Sequence, residues 1–152
     1  MDTDKKTEAL AFLKDHVTGV LATLADGEQP RARLVYYAAD DAFGVYFISL
    51  ANTRKVADLA AHPKAAFVVV STEAPRTLQI EGIVSDVTEE TPDIQVFKEL
   101  IKNATSNETY FAPMDRFDPA EFRYFVLKPT WVRWGNFTFG YGSENVFAEI
   151  KP

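Results

Sequence analysis

The sequence has no cysteine, only two histidines and more acidic than basic side chains. Without cysteine this chain has no disulfide, thiolate nucleophile or cysteine-ligated metal, and the cytoplasm is the location to expect. His16 and His62 lack a carboxylate or cysteine partner at ligand spacing, so we expect no metal site. The net charge of −6 argues against nucleic acid or an anionic membrane as a partner, because both need a basic face. Any anion site must therefore be local.

Long hydrophobic runs are also missing, although apolar residues make up 47% of the 152 residues. None of the runs approaches the length of a membrane span. The charged segment 1–6 is not followed by the apolar region of a signal peptide, so the sequence reads as an unexported protein. A chain of this length and composition can fill one core, and we expect a single domain over residues 1–152.

The apolar pattern predicts many short strands and a few amphipathic helices. Strands are predicted at 17–24, 30–39, 43–49, 65–70, 77–87, 121–127, 129–134 and 145–150. Helices are predicted at 4–14, 53–61 and 91–102, with a long loop over 103–119. This order predicts a mainly β protein, a small antiparallel barrel with flanking helices, and an open sandwich is the competing architecture.

Turn-forming residues set the expected connections between these strands. Asp26-Gly27 favours a tight hairpin turn, and the first three strands are expected to form an antiparallel meander. Gly82 is expected to mark a bulge or a sharp bend of the kind that barrels use. Lys128-Pro129 is expected to separate the two strands on either side of it.

The junction between the strand 43–49 and the helix 53–61 concentrates groups that bind anions. Ser49, Asn52 and Thr53 offer polar side chains, and Arg54 and Lys55 follow at once with positive charge. Thr53 is a good N-cap residue, so the helix would direct unpaired N–H groups and its positive dipole end to the same point. The residues alone therefore predict a phosphate site at this junction.

Several short patterns occur in a fixed order along the chain. They are VLATL at 20–24, PRARLV at 30–35, VYFIS at 45–49, TRKVADL at 53–59, HP at 62–63, AA at 65–66 and LQIEG at 78–82. Their order and spacing resemble the pyridoxamine 5′-phosphate oxidase-like, FMN-binding split-barrel family, in its general stress protein-like branch. The resemblance covers about residues 17–87 and extends more weakly to Trp134. It implies a six-stranded antiparallel split barrel.

The resemblance also implies a set of cofactor-binding residues. In the family, the basic pair after a Ser or Thr at the start of the crossing helix holds the flavin phosphate, and Ser49 matches a residue near the phosphate or ribityl chain. A family glutamine two residues before Gln79 is replaced here by Thr77. The family's ring-flanking tryptophan would correspond to Trp131 or Trp134. The residues implied are Arg33, Leu34, Val35, Tyr36, Ser49, Asn52, Thr53, Arg54, Lys55, Thr77, Gln79, Trp131 and Trp134.

The function implied is that of an FMN-dependent oxidoreductase acting on an unidentified small molecule, in a homodimer with flavin sites at the interface. The true oxidase has an Arg-x-His motif near its C-terminus, whereas this chain has no histidine after His62, which argues against vitamin B6 oxidase activity. The residues themselves reveal no catalytic acid, base or nucleophile. The alternatives are a relative that binds F420 or haem, and a non-catalytic flavin-binding or regulatory dimer.

Overall fold

The computed structural model describes residues 2–93, 100, 102, 121–139 and 146–152. Two α-helices and eight strands account for most of them. They are α1 (Asp2–Asp15), β1 (Thr18–Ala25), β2 (Gln29–Tyr36), β3 (Ala38–Ala39), β4 (Val45–Leu50), α2 (Arg54–Ala61), β5 (Lys64–Ser71), β6 (Arg76–Asp86), β7 (Phe122–Asn136) and β8 (Phe147–Ile150). None of the helices in this described part is long and apolar enough to span a membrane.

The strands form one antiparallel sheet in the order β2-β1-β5-β6-β7-β4-β3, with β8 paired to β7. The sheet curls into half of a barrel, which confirms the mainly β, split-barrel prediction with flanking helices. The two-residue β3 and the short β8 extend the six-stranded prediction to eight strands in the described residues.

The two faces of the curled sheet differ in burial because side chains alternate along each strand. The inner face carries the core, in which Leu21, Phe67 and Leu78 are almost completely buried. Helix α1 covers this face and adds Phe12 and Leu13 to the same cluster. The inner face thus supplies most of the hydrophobic stabilisation.

The outer face carries large apolar side chains that remain exposed. Leu34 is 62% exposed and Val70 is 60% exposed. Strand register places the exposed Val20 on the same face as Leu34, and Ile83 and Phe147 continue this face on β6 and β8. The set has five members, which are Val20, Leu34, Val70, Ile83 and Phe147, and we call it the outer apolar face. Large apolar side chains left exposed on one face of a sheet suggest an interaction surface.

Two strand predictions need correction. The predicted strand 30–39 is two strands, because β2 pairs with β1 whereas β3 pairs with β4. The backbone N–H of Tyr37, between them, donates to the carbonyl of Val17 and so extends the β1–β2 pairing by one residue. The pairings of the expected meander are nevertheless present, because the first part of the segment 30–39 pairs with β1 and its last part pairs with β4.

The predicted break at Lys128-Pro129 is also wrong, because β7 continues through it. The register between β6 and β7 shifts between Glu81 and Gly82, and Pro129 lies opposite Gly82 at that irregularity. A bulge can accommodate a residue without an N–H donor, so the proline does not end the strand. The bulge predicted at Gly82 is confirmed.

The remaining helix and loop predictions are tested only in part. Residues 88–93 form 3₁₀ turns, which begin ahead of the predicted helix 91–102. Most of that helix, and the predicted loop 103–119, lie outside the described residues. The helices predicted at 4–14 and 53–61 and the strand at 145–150 are confirmed, with small shifts of their ends.

Candidate functional site

The turn from β4 to α2 brings two hydroxyls and an ammonium group together. Ser49 Oγ lies 2.9 Å from Thr53 Oγ1, and the Nζ of Lys55 donates to Ser49 Oγ over 3.1 Å. Both hydroxyls also lie 3.2 Å from the carbonyl oxygen of Leu50. Ser49 is buried at the end of its strand, so the strand fixes the position from which the other two groups are held. We call Ser49, Thr53 and Lys55 the junction cluster.

Thr53 occupies the N-cap position of α2 with extended backbone angles, as predicted. Its hydroxyl makes no capping hydrogen bond to the helix, because it points back to Leu50 and Ser49 instead. The first N–H groups of a helix have no partner within the helix. The start of α2 therefore keeps donors and partial positive charge available beside the junction cluster.

Arg33 reaches this region from the inner face of β2. Its Nη1 donates to the hydroxyl of Thr23 over 2.7 Å and lies 3.3 Å from the carbonyl oxygens of Leu21 and Arg31. Its Nη2 lies 3.7 Å from a carboxylate oxygen of Asp58. The guanidinium is thus held by two strands and by the helix that carries Lys55.

The pKa values of two cations show that they share one electrostatic environment. Burial lowers the pKa of Lys55, and the charge of Arg33 lowers it further. Burial also lowers the pKa of Arg33, Asp58 opposes this, and the charges of Arg31 and Arg54 add to it. Positive charges that repel one another in a half-buried position are stabilised when an anion binds between them. The arrangement is therefore suited to an anion.

Asp58 is a member of this site that sequence reasoning missed. Its carboxylate is 7% exposed and pairs with Nη1 of Arg31 at 3.1 Å, while Thr23 donates to it over 3.3 Å. In the sequence, an aspartate in the middle of an amphipathic helix looks like part of the solvated face. The one signal that could have identified Asp58 is that it lies opposite Arg31 and Arg33, and this becomes apparent only when the packing of the helix on the strands is known.

The other predicted residues near the junction differ in exposure. Arg54 and Asn52 are exposed, and neither side chain makes a hydrogen bond or ion pair with any described residue. Val35 is buried in the core on the face that carries Arg33. Leu34 and Tyr36 project from the opposite face of β2.

Three further predicted residues lie on the outer face of the sheet and not at the junction cluster. Gln79 and Trp131 line a groove of about 280 Å³ beside the exposed Val20. The indole N–H of Trp131 donates to Glu149 over 3.2 Å. Thr77 lies on the same face of β6 as Gln79, opposite Gly135 of β7. Within one chain, therefore, the structure does not bring these residues to the junction cluster.

Trp134 lies inside the core. It is 2% exposed, its ring centroid lies 4.9 Å from that of Phe12, and its indole N–H has no hydrogen-bond partner in the described structure. A residue in this position cannot flank a ligand without opening the contact with α1. Of the two tryptophans, Trp131 is therefore the one whose side chain is accessible.

The curled antiparallel sheet defines a split-barrel protein, and cations and hydroxyls gather where one of its strands meets the crossing helix. Residues 6–134 match the family model described as pyridoxamine 5′-phosphate oxidase. This chain belongs to that family.

A curated relative gives a measure of the similarity in sequence. The pyridoxine/pyridoxamine 5′-phosphate oxidase of Burkholderia lata is 39% identical over 87 residues, which are 57% of this chain and 41% of the relative. A second such oxidase, from Bordetella avium, is 38% identical over 73 residues, 48% of this chain and 35% of the relative. The matched segment therefore spans about two fifths of the length of these relatives or less.

Solved structures with the same fold have names that refer to haem, F420 or FMN, or to no cofactor. General stress protein 26 from Bacillus anthracis has a TM-score of 0.64 at 18% identity and covers 85% of this chain and 92% of its own. A pyridoxamine 5′-phosphate oxidase-related, FMN-binding protein from Nostoc punctiforme has a TM-score of 0.62 at 13% identity and covers 94% of this chain and 85% of its own. A haem-binding protein from Mycobacterium smegmatis has a TM-score of 0.67 at 21% identity and covers 97% of this chain and 57% of its own. An F420 reductase has a TM-score of 0.65 at 22% identity and covers 80% of this chain and 93% of its own. At these identities the likeness establishes the fold alone.

Proposed function

We propose that this protein is an FMN-binding flavoprotein whose junction cluster, with Arg33 and Arg54, binds the phosphate of the cofactor. The observation that carries the proposal is the cluster of Lys55 with the hydroxyls of Ser49 and Thr53 at the start of α2, within the field of the Arg33 charge. Hydroxyl and N–H donors together with cations are the groups that bind phosphate in proteins. Membership of the family, which includes flavin-binding neighbours, supports the same reading.

The charges of the site fit a phosphate monoester. Arg33, Arg54 and Lys55 supply three positive charges, and Asp58 is the carboxylate that faces them from within the described residues. Because Asp58 also pairs with Arg31, the site retains an excess of positive charge. A phosphate monoester carries close to two negative charges at neutral pH and would offset most of that excess.

We propose oxidoreductase activity on a small molecule. A bound flavin would supply the electron-transfer chemistry, and the residues of this chain would bind and orient it. The missing Arg-x-His motif argues that the substrate differs from that of the vitamin B6 oxidases. A cytoplasmic location, expected from the absence of cysteine, belongs to the same proposal.

We also propose a homodimer formed through the outer apolar face. Five exposed hydrophobic side chains lie on this face, one on each of five strands, and exposed apolar side chains that share a face favour an interaction surface. Leu34, Thr77, Gln79 and Trp131 lie on the same face, so a second copy packed there would meet the predicted site residues that lie apart from the phosphate-binding groups. Cofactor sites at the interface would then be built from both chains.

The test is a titration of the purified protein with FMN and with riboflavin, followed by quenching of flavin fluorescence. We expect FMN to bind more tightly than riboflavin, because riboflavin lacks the phosphate. Arg33→Ala and Lys55→Ala should each weaken FMN binding by about tenfold or more, the usual effect of losing a hydrogen bond to a charged group. Lys6→Ala, on the exposed side of α1, is the control and should bind as the wild type does.

The visible spectrum of the protein after expression separates the alternatives, because flavin, F420 and haem absorb differently. A haem or F420 spectrum, or equal affinity for FMN and riboflavin, would count against the proposal. If FMN binds but neither NADH nor NADPH is oxidised with any acceptor, the protein is a non-catalytic flavin-binding module.

A further inference from the structure

Asp58 connects the two arginines of β2 to the helix that carries Lys55. It lies one helical turn after Arg54, and its carboxylate is almost fully buried. Both of its oxygens lie within 3.3 Å of Nη1 of Arg31. One of them also accepts from Thr23, the residue whose hydroxyl accepts from Arg33. A buried carboxylate with this many partners is costly unless its contacts are kept.

The two arginines are held in different ways. Arg31 directs its donors at Asp58, so its charge is largely neutralised there. Arg33 uses Nη1 for Thr23 and for carbonyl oxygens, and its Nη2 stays at 3.7 Å from Asp58. Its Nε–H makes no hydrogen bond with a described residue. Arg33 is therefore anchored at one end of the guanidinium and keeps donors for a ligand.

We propose that Asp58 is a positioning residue, which binds Arg31 and, with Thr23, orients Arg33 so that Arg33 and not Arg31 meets a phosphate at the junction cluster. This role rests on the proposed phosphate site but adds a residue that would not touch the ligand. A guanidinium that is already fixed in the free protein loses less conformational entropy when phosphate binds. The network also separates two arginines whose alternation puts them on one face of β2.

Simple electrostatics and the positioning role predict opposite effects on anion binding when this carboxylate is removed. If Asp58 acted only as a nearby negative charge, its removal would strengthen anion binding. If it only stabilised the fold, its removal would affect binding in the same way whether or not Arg33 is present. The positioning role alone predicts weaker binding that depends on Arg33.

The experiment is a double-mutant cycle measured by FMN titration of wild type, Asp58→Asn, Arg33→Ala and the double variant. We expect Asp58→Asn to weaken FMN binding by about tenfold or more in the presence of Arg33, as for one charged hydrogen bond lost. In the Arg33→Ala background, it should have no further effect. Asp41→Asn, which removes the same charge from the exposed pair with Lys14, is the control and should leave binding unchanged. Tighter binding by Asp58→Asn, or equal weakening in both backgrounds, would overturn the proposal.

A second measurement does not depend on flavin. In the ligand-free protein, ¹⁵N relaxation of the Arg33 Nε–H should report a rigid side chain in the wild type and a mobile one in both Asp58→Asn and Thr23→Val. Thr23→Val removes the hydroxyl link without removing a charge, and it replaces Asp58→Asn if that variant fails to fold. A mobile Arg33 in the wild type would refute the positioning role. If Arg33 is rigid in the wild type and mobile in Thr23→Val, but the protein binds no FMN, the flavin proposal is rejected and the positioning role stands.

Discussion

Lys55 is a side chain of the candidate site in which folding and anion binding place opposite demands on the charge. Its ammonium group is partly removed from water and lies in the field of Arg33, and both effects lower its pKa. Between that lowered pKa and the ordinary value of 10.5, the unfolded chain binds the proton more tightly than the folded chain does. Stability of the ligand-free protein therefore rises with pH in this window. A bound phosphate would reverse the effect by favouring the charged form.

Phosphate binding should accordingly depend on pH through Lys55. As pH rises through the lowered pKa, Lys55 loses its charge, and we expect the affinity for FMN to fall at a pH below that of an ordinary lysine. Riboflavin binding should not show this change. Lys55→Arg is the matched variant, because an arginine stays protonated over the whole range. FMN titrations between pH 7 and 10 would check this, and an identical pH profile for Lys55→Arg would contradict it.

Among single residues, the sequence identified the groups that meet at the junction cluster but not the residue that supports Arg33. Ser49, Thr53 and Lys55 are close together along the chain, so one strand end and one helix start suffice to predict their cluster. Arg33 joins them from another strand, which only a family resemblance could indicate. Asp58 was missed because its role depends on packing between α2 and β1–β2, and no local pattern encodes that contact.

Among the secondary-structure elements, β6 and β7 form the most extensive pairing, and its bulge depends on Gly82. A Cβ at this position would lie 2.1 Å from the carbonyl oxygen of Lys128 and 3.0 Å from the Cα of Pro129. Both are backbone atoms and cannot move without shifting β7. The close approach of the two strands thus requires glycine.

Gly82→Ala should therefore destabilise the protein by about 2 kcal/mol or more, the usual cost of overpacking a close contact. Gly27→Ala is the matched control, because its added Cβ meets no atom within 4 Å and its cost arises only from a positive φ of 74°. Urea unfolding of both variants would measure the difference. Equal free energies of unfolding would show that β7 adjusts to the added methyl group.

The strand errors have one physical origin. Local propensity located every strand of the described sheet, but it does not determine which strands pair. The division into β2 and β3 follows from a change of pairing partner from β1 to β4, and the passage of β7 through Pro129 follows from its pairing with β6, which is distant in sequence. Pairing with β4 and the bulge opposite Gly82 override the local signals there.

At the level of the whole molecule, the outer apolar face was not predicted, although each of its five members lies in a predicted strand. Each exposed residue alternates with a buried one, so the face becomes visible only when the strand order is known. Val70 and Leu34 are exposed to 60% and 62%, and covering both with a partner would remove substantial apolar area from water. This is the physical basis for expecting self-association.

Leu34→Asp and Val70→Asp should each convert the proposed dimer to a monomer, because a charge would be buried without a partner in the interface. Sedimentation velocity would measure the change, and we expect the dissociation constant of the dimer to rise by about tenfold or more. Ala11→Asp adds the same charge on the exposed side of α1, which covers the other face of the sheet, and should leave the dimer intact. A wild-type protein that sediments as a monomer would reject the dimer.

The sheet order also constrains the sequence of events during synthesis. Strand β7 lies between β4 and β6, although it follows both of them by a long stretch of chain. Pairings between distant segments form slowly, since the intervening chain must first be brought together. On the ribosome, β4 and β6 will each keep one edge unpaired until residues 122–136 have left the exit tunnel, and chaperones would meet the nascent chain at these edges.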